Sequence, residues 1–257
     1  MSIELERPPE NLSVYQPEIV TLETPEHVDK YAFDMLEAQV YANKHSVLTL
    51  PTGNSPVGMY KLIREAYQKG LDLGGLTSRN LDEYWPISKK HPLSYDRFMR
   101  ENLFDYVNIS EAQWHVPNGE APDAYEEVAR YQEVLKQTGR ADLAILGLGP
   151  GLTCHMGFNE RGSTLDSRTR LVWMAEETLQ ANMIKGVFET AITQGVADIL
   201  DSKKIMVIVK GLSKAPGLKR TLEGSIDSDA PAAFLRLHPY RDVTFVVDKE
   251  AASLLDR

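Results

Sequence analysis

Two carboxylates stand side by side in Leu81-Asp82-Glu83-Tyr84-Trp85, downstream of a Gly/Ser/Thr turn in Leu50-Pro51-Thr52-Gly53-Asn54-Ser55-Pro56. The turn joins an apolar run to a helical pattern. Backbone N–H groups at such a helix start, helped by hydroxyls, can bind a phosphate. A carboxylate at a strand end can move a proton between adjacent carbons once partial burial raises its pKa. A phosphate cradle beside a proton-transferring carboxylate suits an enzyme acting on a small phosphorylated metabolite. Each segment alone has a plainer reading, as a Ser-capped turn or a solvated acidic loop.

The spacing from Gly53 to Gly58 matches a nucleotide P-loop, but Met59 and Tyr60 fill the places of its Lys and Ser/Thr, which argues against ATP. A second glycine-rich stretch runs Gly147-Leu148-Gly149-Pro150-Gly151-Leu152-Thr153-Cys154-His155-Met156-Gly157-Phe158-Asn159-Glu160. Its glycines suit close approach to a ligand, and its spacing fails the dinucleotide fingerprint. His155 and Glu160 can form an acid–base pair in which the acid orients the imidazole. The plainer reading is a loop histidine without chemistry. Cys154 beside His155 lacks the second ligand cluster of a metal site, and apolar neighbours disfavour its thiolate. Lys210-Gly211-Leu212-Ser213-Lys214 places a lysine where a helix should start after a strand, able to close on a phosphate or to stand in solvent.

These segments need elements to position them. Ser46–Leu50, Asp142–Gly149, Lys204–Lys210 and Val243–Val247 read as strands, and Arg79–Tyr84 as a weak one. Helical patterns cover Pro25 to about Val40, Pro56–Gly70, His91–Tyr106, Pro122–Thr138, Ser213–Glu223 and Pro231–Leu237, and residues 182–200 read as mostly helical or mixed. Thr24 and Pro25 supply a cap and first turn. Residues 1–17 are expected to lie across the surface. Strands alternating with helices specify an α/β fold: one Rossmann-like open sheet, mostly parallel, with helices on both faces. No linker divides the chain, so a single domain spans 1–257. In such sheets ligands sit at the carboxyl ends of the strands, and all four motifs follow candidate strands.

With 257 residues and a net charge of −9, the chain can bury a large core and is a poor partner for nucleic acid. It has one cysteine, which points to a reducing compartment and a cytoplasmic location. No signal peptide or membrane-spanning stretch is expected. A homo-oligomer is compatible with the sequence.

Taken together, LPTGNSPVGMYKLI, LDEYWPISKKHPLSYDRFM, HMGFNE followed by SRTR, and VKGLSKA resemble the glucosamine-6-phosphate deaminase/isomerase family over nearly the whole chain. The resemblance implies a modified Rossmann-like fold and a hydrolase-type deaminase/isomerase that turns an amino sugar phosphate into a ketose phosphate and ammonia. It implies no metal and no organic cofactor. By motif, Asp82 is the base that moves the carbon-bound proton and His155 serves ring opening with Glu160 as partner. Thr52, Gly53, Ser55 and Lys214 hold the phosphate.

The chain departs from the family pattern in places. Thr153-Cys154 stands where the family has Asp-Gly before the histidine. Ile184 occupies the place of a phosphate-clamping arginine, with Lys185 beside it as a substitute point charge. Val172 replaces a basic residue of the effector pattern, and Arg161 a proline. The Pro231–His238 stretch resembles galactosamine-6-phosphate relatives, so the C4 epimer stays open. Two other readings remain: a 6-phosphogluconolactonase on a related fold, against which the FNE element speaks, and a sugar-phosphate sensor without full chemistry.

Overall fold

The apolar runs form the strands of a parallel sheet, and the polar stretches between them close a second, smaller one. The structure is a computed structural model and describes residues 12–149, 151–181, 184 and 186–256. The expectation for residues 1–17 falls partly outside these residues. Within them, 12–16 run mostly exposed, and Tyr15 N–H donates to Arg236 O.

The first half of the chain forms β1 (Glu18–Leu22), α1 (Pro25–Ala42), β2 (Val47–Leu50), α2 (Val57–Gln68), β3 (Thr77–Asn80), β4 (Asp82–Trp85), α3 (Tyr95–Asn102), β5 (Trp114–His115) and α4 (Ala124–Thr138). The second half forms β6 (Leu143–Gly147), β7 (Arg170–Trp173), α5 (Glu176–Ala181), β8 (Thr190–Thr193), α6 (Val196–Leu200), β9 (Ile205–Val209), α7 (Ala215–Glu223) and β10 (Val243–Asp248). Short 3₁₀ turns cover Phe104–Tyr106, Leu212–Lys214 and Pro231–Leu237.

Seven strands pair in the order β1-β10-β9-β6-β2-β3-β5, and every pairing is parallel. Strand alternation separates two cores. Met206 and Ile208 of β9 join Leu48, Leu50, Leu143 and Ile145 under α1 and α2. Ile205, Val207 and Val209 join Phe245, Leu218 and Leu222 on the other face with α6 and α7. The expected α/β sheet with helices on both faces is present.

The second sheet, β4-β8-β7, is antiparallel and was not expected. The run read as one strand from Arg79 to Tyr84 is two. β3 ends at Asn80, Leu81 bridges, and β4 begins at Asp82 in the other sheet. Residues 182–200, read as mostly helical or mixed, contribute β8 before α6. The helix expected over His91–Tyr106 shortens to α3 and a 3₁₀ turn, because Ser94 caps it by accepting Arg97 N–H. Thr24 caps α1 as expected, through His27 N–H.

Candidate active site

Four neighbouring strands of the large sheet, in the order β9-β6-β2-β3, each feed one motif at their carboxyl ends. β9 leads to Lys214, β6 to His155, β2 to Thr52–Ser55 and β3 to Asp82. Chain order reverses between β6 and β2, the position at which open α/β sheets bind ligands.

The contacts between these loops are close. A Cβ built on Gly147 would stand 3.4 Å from Ser55 Oγ, and one on Gly149 would overlap the His155 ring at 2.4 Å. Gly149 N–H donates to His155 O at 2.9 Å, so glycine there makes room for the imidazole. Lys214 Nζ donates to Leu148 O at 2.5 Å. A Cβ on Gly157 would lie 3.1 Å from both Asp82 Oδ2 and Thr193 Oγ1. The segment 147–160 thus touches the other three motifs.

The cradle is left open by its own sequence. Gly53 is left-handed (φ 81°), and α2 starts after Pro56 with no side chain capping its first N–H groups. Ser55 therefore does not cap α2, and the plain capped-turn reading fails. Tyr60 Oη donates to Pro51 O, and Asn80 Nδ2 to Leu50 O, which fixes the entry to the loop. Burial pushes the Lys214 ammonium down to about 8, and an anion bound beside it would favour the charged form.

Asp82 and Glu83 are both buried, not a solvated loop. Burial, then the Glu83 charge, pushes Asp82 up to about 8. Burial pushes Glu83 up to about 7 against hydrogen bonds from Tyr95, Asp96, Ser94 and Tyr84. Those donors favour the ionised form of Glu83, so the proton of the pair resides on Asp82. Gln194, which the sequence reading passed over, holds the crossing into β4. Its N–H donates to Leu81 O at 2.7 Å and its Nε2 to Asn80 O at 2.9 Å. Tyr131 Oη donates to the same Asn80 O at 2.6 Å.

His155 and Glu160 do not pair as expected. Glu160 Oε2 accepts the Ala175 N–H at the entry to α5, and its Oε1 is buried without a partner. His155 Nδ1 is likewise buried and unpartnered. The loop between them explains the separation. Asn159 is pinned by Nδ2 donating to Gln194 O and Met156 O and by Oδ1 accepting from Arg170, which turns Glu160 toward α5. Burial, with Lys214 nearby, pushes His155 down to about 4, so its imidazole is neutral and can accept a hydrogen bond or hold a proton only in passing. A cavity of about 490 Å³ opens beside Glu160, lined also by Phe158, Ser163, Arg170 and Trp173. Asp82, His155, Ser55 and Lys214 do not line it.

Ile184 is buried among Met174, Leu179 and Phe158, so no charge is offered at its position. Lys185 lies outside the described residues. Cys154 adopts φ 45°, a left-handed conformation that favours glycine, and its thiol is buried against Ala230 and Ala233. Burial pushes that thiol up, away from nucleophilic chemistry. Among the described residues no cluster of His, Cys, Asp and Glu could hold a metal ion, and no helix is long and apolar enough to cross a membrane.

The family model "Glucosamine-6-phosphate isomerases/6-phosphogluconolactonase" matches residues 23–245. A glucosamine-6-phosphate deaminase of Thermoanaerobacter pseudethanolicus is 40% identical over 236 residues, covering 90% of this chain and 92% of that one. One of Halothermothrix orenii is 41% identical over 234 residues, covering 89% and 95%. A solved monomeric glucosamine-6-phosphate deaminase superposes with a TM-score of 0.88 at 35% identity, covering 92% of this chain and 99% of that chain. A Trypanosoma brucei 6-phosphogluconolactonase shares the fold, with a TM-score of 0.76 at 18% identity over 94% and 99% of the two chains.

Proposed function

Because the chain belongs to the family of glucosamine-6-phosphate isomerases and 6-phosphogluconolactonases, we propose that it is an enzyme that deaminates and isomerises glucosamine 6-phosphate to a ketose 6-phosphate and ammonia. The observation that carries this is the placement of a buried Asp82 against the loop of His155, at the sheet edge that also holds the open α2 start and Lys214.

The phosphate binds at Thr52, Gly53 and Ser55 on the α2 N-terminus, with Lys214 as counter-charge. Neutral His155, with Nδ1 unpartnered, relays the anomeric hydroxyl proton to the ring oxygen as the C1–O bond breaks and the ring opens. The substrate's ammonium favours ionised Asp82. That carboxylate removes the C2 proton, giving an enolamine, and returns it to C1. Water then replaces the nitrogen at C2, and ammonia leaves. A carboxyl poised near the operating pH suits both halves of the transfer.

The deaminase names of relatives near 40% identity favour the C4 configuration of glucosamine over galactosamine. A cytoplasmic location accompanies this reading, on a single cysteine and a charged substrate. Assembly is read by sedimentation, and a homo-oligomer would set this chain apart from its monomeric structural relative. The deciding experiment offers glucosamine 6-phosphate, galactosamine 6-phosphate and 6-phosphogluconolactone separately. Ammonia with ketose phosphate from the first is expected. Acid release from the lactone without ammonia from either amino sugar overturns the proposal.

A further inference from the structure

Glu83 is the most heavily engaged buried side chain at this site, yet the chemistry above gives it no role. Its Oε1 accepts Tyr84 N–H and Tyr95 N–H, each at 2.9 Å. Its Oε2 accepts Ser94 Oγ–H at 2.8 Å and Asp96 N–H at 3.0 Å. We propose that Glu83 is a positioning residue: its carboxylate locks the first turn of α3 to β4, and through that turn registers both Asp82 and the loop of His155. This rests on the deaminase reading of the site.

The geometry runs in two directions. Strand alternation turns Glu83 to the face of β4 opposite Asp82, so its hold on α3 braces Asp82 from behind. Gln194 braces the other end of the crossing, at Asn80 and Leu81. The turn that Glu83 holds carries Tyr95, whose ring stacks on Phe158 at 6.1 Å between centroids and 3° between planes. Tyr84, the next residue on β4, meets the same Phe158 at 5.4 Å. Phe158 lies midway between His155 and Glu160. One carboxylate therefore sets the spacing between the base and the ring-opening loop.

Glu83 also acts on Asp82 by its charge. Among the described residues, the ionisable groups that bear on the pair include Tyr84 on β4, Tyr95 and Asp96 on α3, and Tyr131 on α4. Asp96 is paired with Arg100 at 2.9 Å. Burial pushes Tyr95 and Tyr131 above their ordinary range. Residues 190–193 of β8, which pair with β4, bring no ionisable side chain. Glu83 is thus the charge that bears on Asp82 in the neutral range. Glutamine cannot replace it silently, because its NH₂ would face two of the four donors.

The test compares wild type with Glu83→Gln, Ser94→Ala and Asp123→Ala. The last removes an exposed carboxylate cap from α4, accepting Tyr125 and Glu126 N–H, away from Asp82. For Glu83→Gln, kcat is expected to fall about 10- to 100-fold, with KM moving less than about threefold. The acidic limb of kcat/KM should move down by about one pH unit as the like charge is lost. Infrared titration of the protonated-carboxyl band that Asp82→Asn removes should show the same downward move. Ser94→Ala keeps the carboxylate with one donor fewer and should lower kcat while moving either titration less than Glu83→Gln does. Asp123→Ala should lower Tm and leave both titrations in place.

An unmoved limb and an unmoved Asp82 band in Glu83→Gln overturn the proposal. Should that variant not fold, an unchanged kcat in Ser94→Ala overturns it. Should wild type release no ammonia, the deaminase reading fails on its own, and the infrared titration still decides whether Glu83 governs Asp82.

Discussion

The two sheets of this molecule are built on opposite terms. In the large sheet β9 is Ile-Met-Val-Ile-Val, buried throughout and shared between two apolar cores. In the small sheet β4 opens with two carboxylates, also buried, and burial pushes Asp82 up to about 8 where an exposed aspartate titrates near pH 4. The first gains stability from nearly every residue it buries. The second gives some up, because a buried acid pair is costly unless bonded or protonated. Under the proposed function, stability and proton chemistry fall to different sheets, with the loops at the carboxyl ends of the large one lying against the small one.

Asp82→Asn tests the division most severely. Turnover should fall about 10²- to 10⁴-fold, the usual worth of a general base, while the fold is kept or strengthened. Unchanged turnover in a steady-state ammonia assay would remove Asp82 from the mechanism. Phe245→Ala, at a fully buried site of β10, should do the reverse. It should cost about 3–5 kcal/mol in denaturant unfolding, with kcat intact in the fraction that stays folded.

Lys214→Ala tests the joint between the sheets. KM should rise about 10- to 100-fold, as for a lost charge-assisted bond of about 1.5–3 kcal/mol, with a smaller change in kcat. An unaltered KM would place Lys214 outside the pocket.

Stability against pH separates the sheets again. Asp82, raised from 3.8 to about 8 on folding, keeps in the folded chain a proton that the unfolded chain has lost. Its contribution is complete below the lower value and fades as pH rises to the upper. His155, lowered from 6.5 to about 4, acts in the other sense: falling pH across that window costs stability, because only the unfolded imidazole takes up the proton. Asp82→Asn should therefore raise Tm more at pH 8 than at pH 5, read by calorimetry; an equal change at both would break the assignment. The smallest effect concerns Cys154. Because it sits at φ 45°, Cys154→Gly should be more stable than Cys154→Ala by about 1 kcal/mol.

The large sheet was legible because its strands are bounded apolar runs, as in Leu143–Gly147 and Val243–Asp248. β1 escaped notice because its burial is only partial at the sheet edge. The small sheet was illegible for a physical reason. Asp82–Trp85, Arg170–Trp173 and Thr190–Thr193 are only four residues long and mix polar with apolar side chains, and they pair only across separations of about a hundred residues or of twenty. The candidate site residues were read as loop chemistry after strands, and the loops that carry them do follow strands of the large sheet. Gln194, a positioning side chain inside that polar stretch, carried no pattern of its own.

Apolar spacing thus determined, from the sequence alone, a parallel α/β sheet, and the order of four motifs placed their loops at one edge of it. Only the tertiary structure decided that the chain leaves that sheet at Leu81, that Asp82 is buried with its carboxyl pushed well above the usual range, and that Glu160 turns to Ala175 instead of His155. Burial and long-range hydrogen bonding set proton affinity and side-chain direction, and neither is encoded in the spacing of neighbours along a chain.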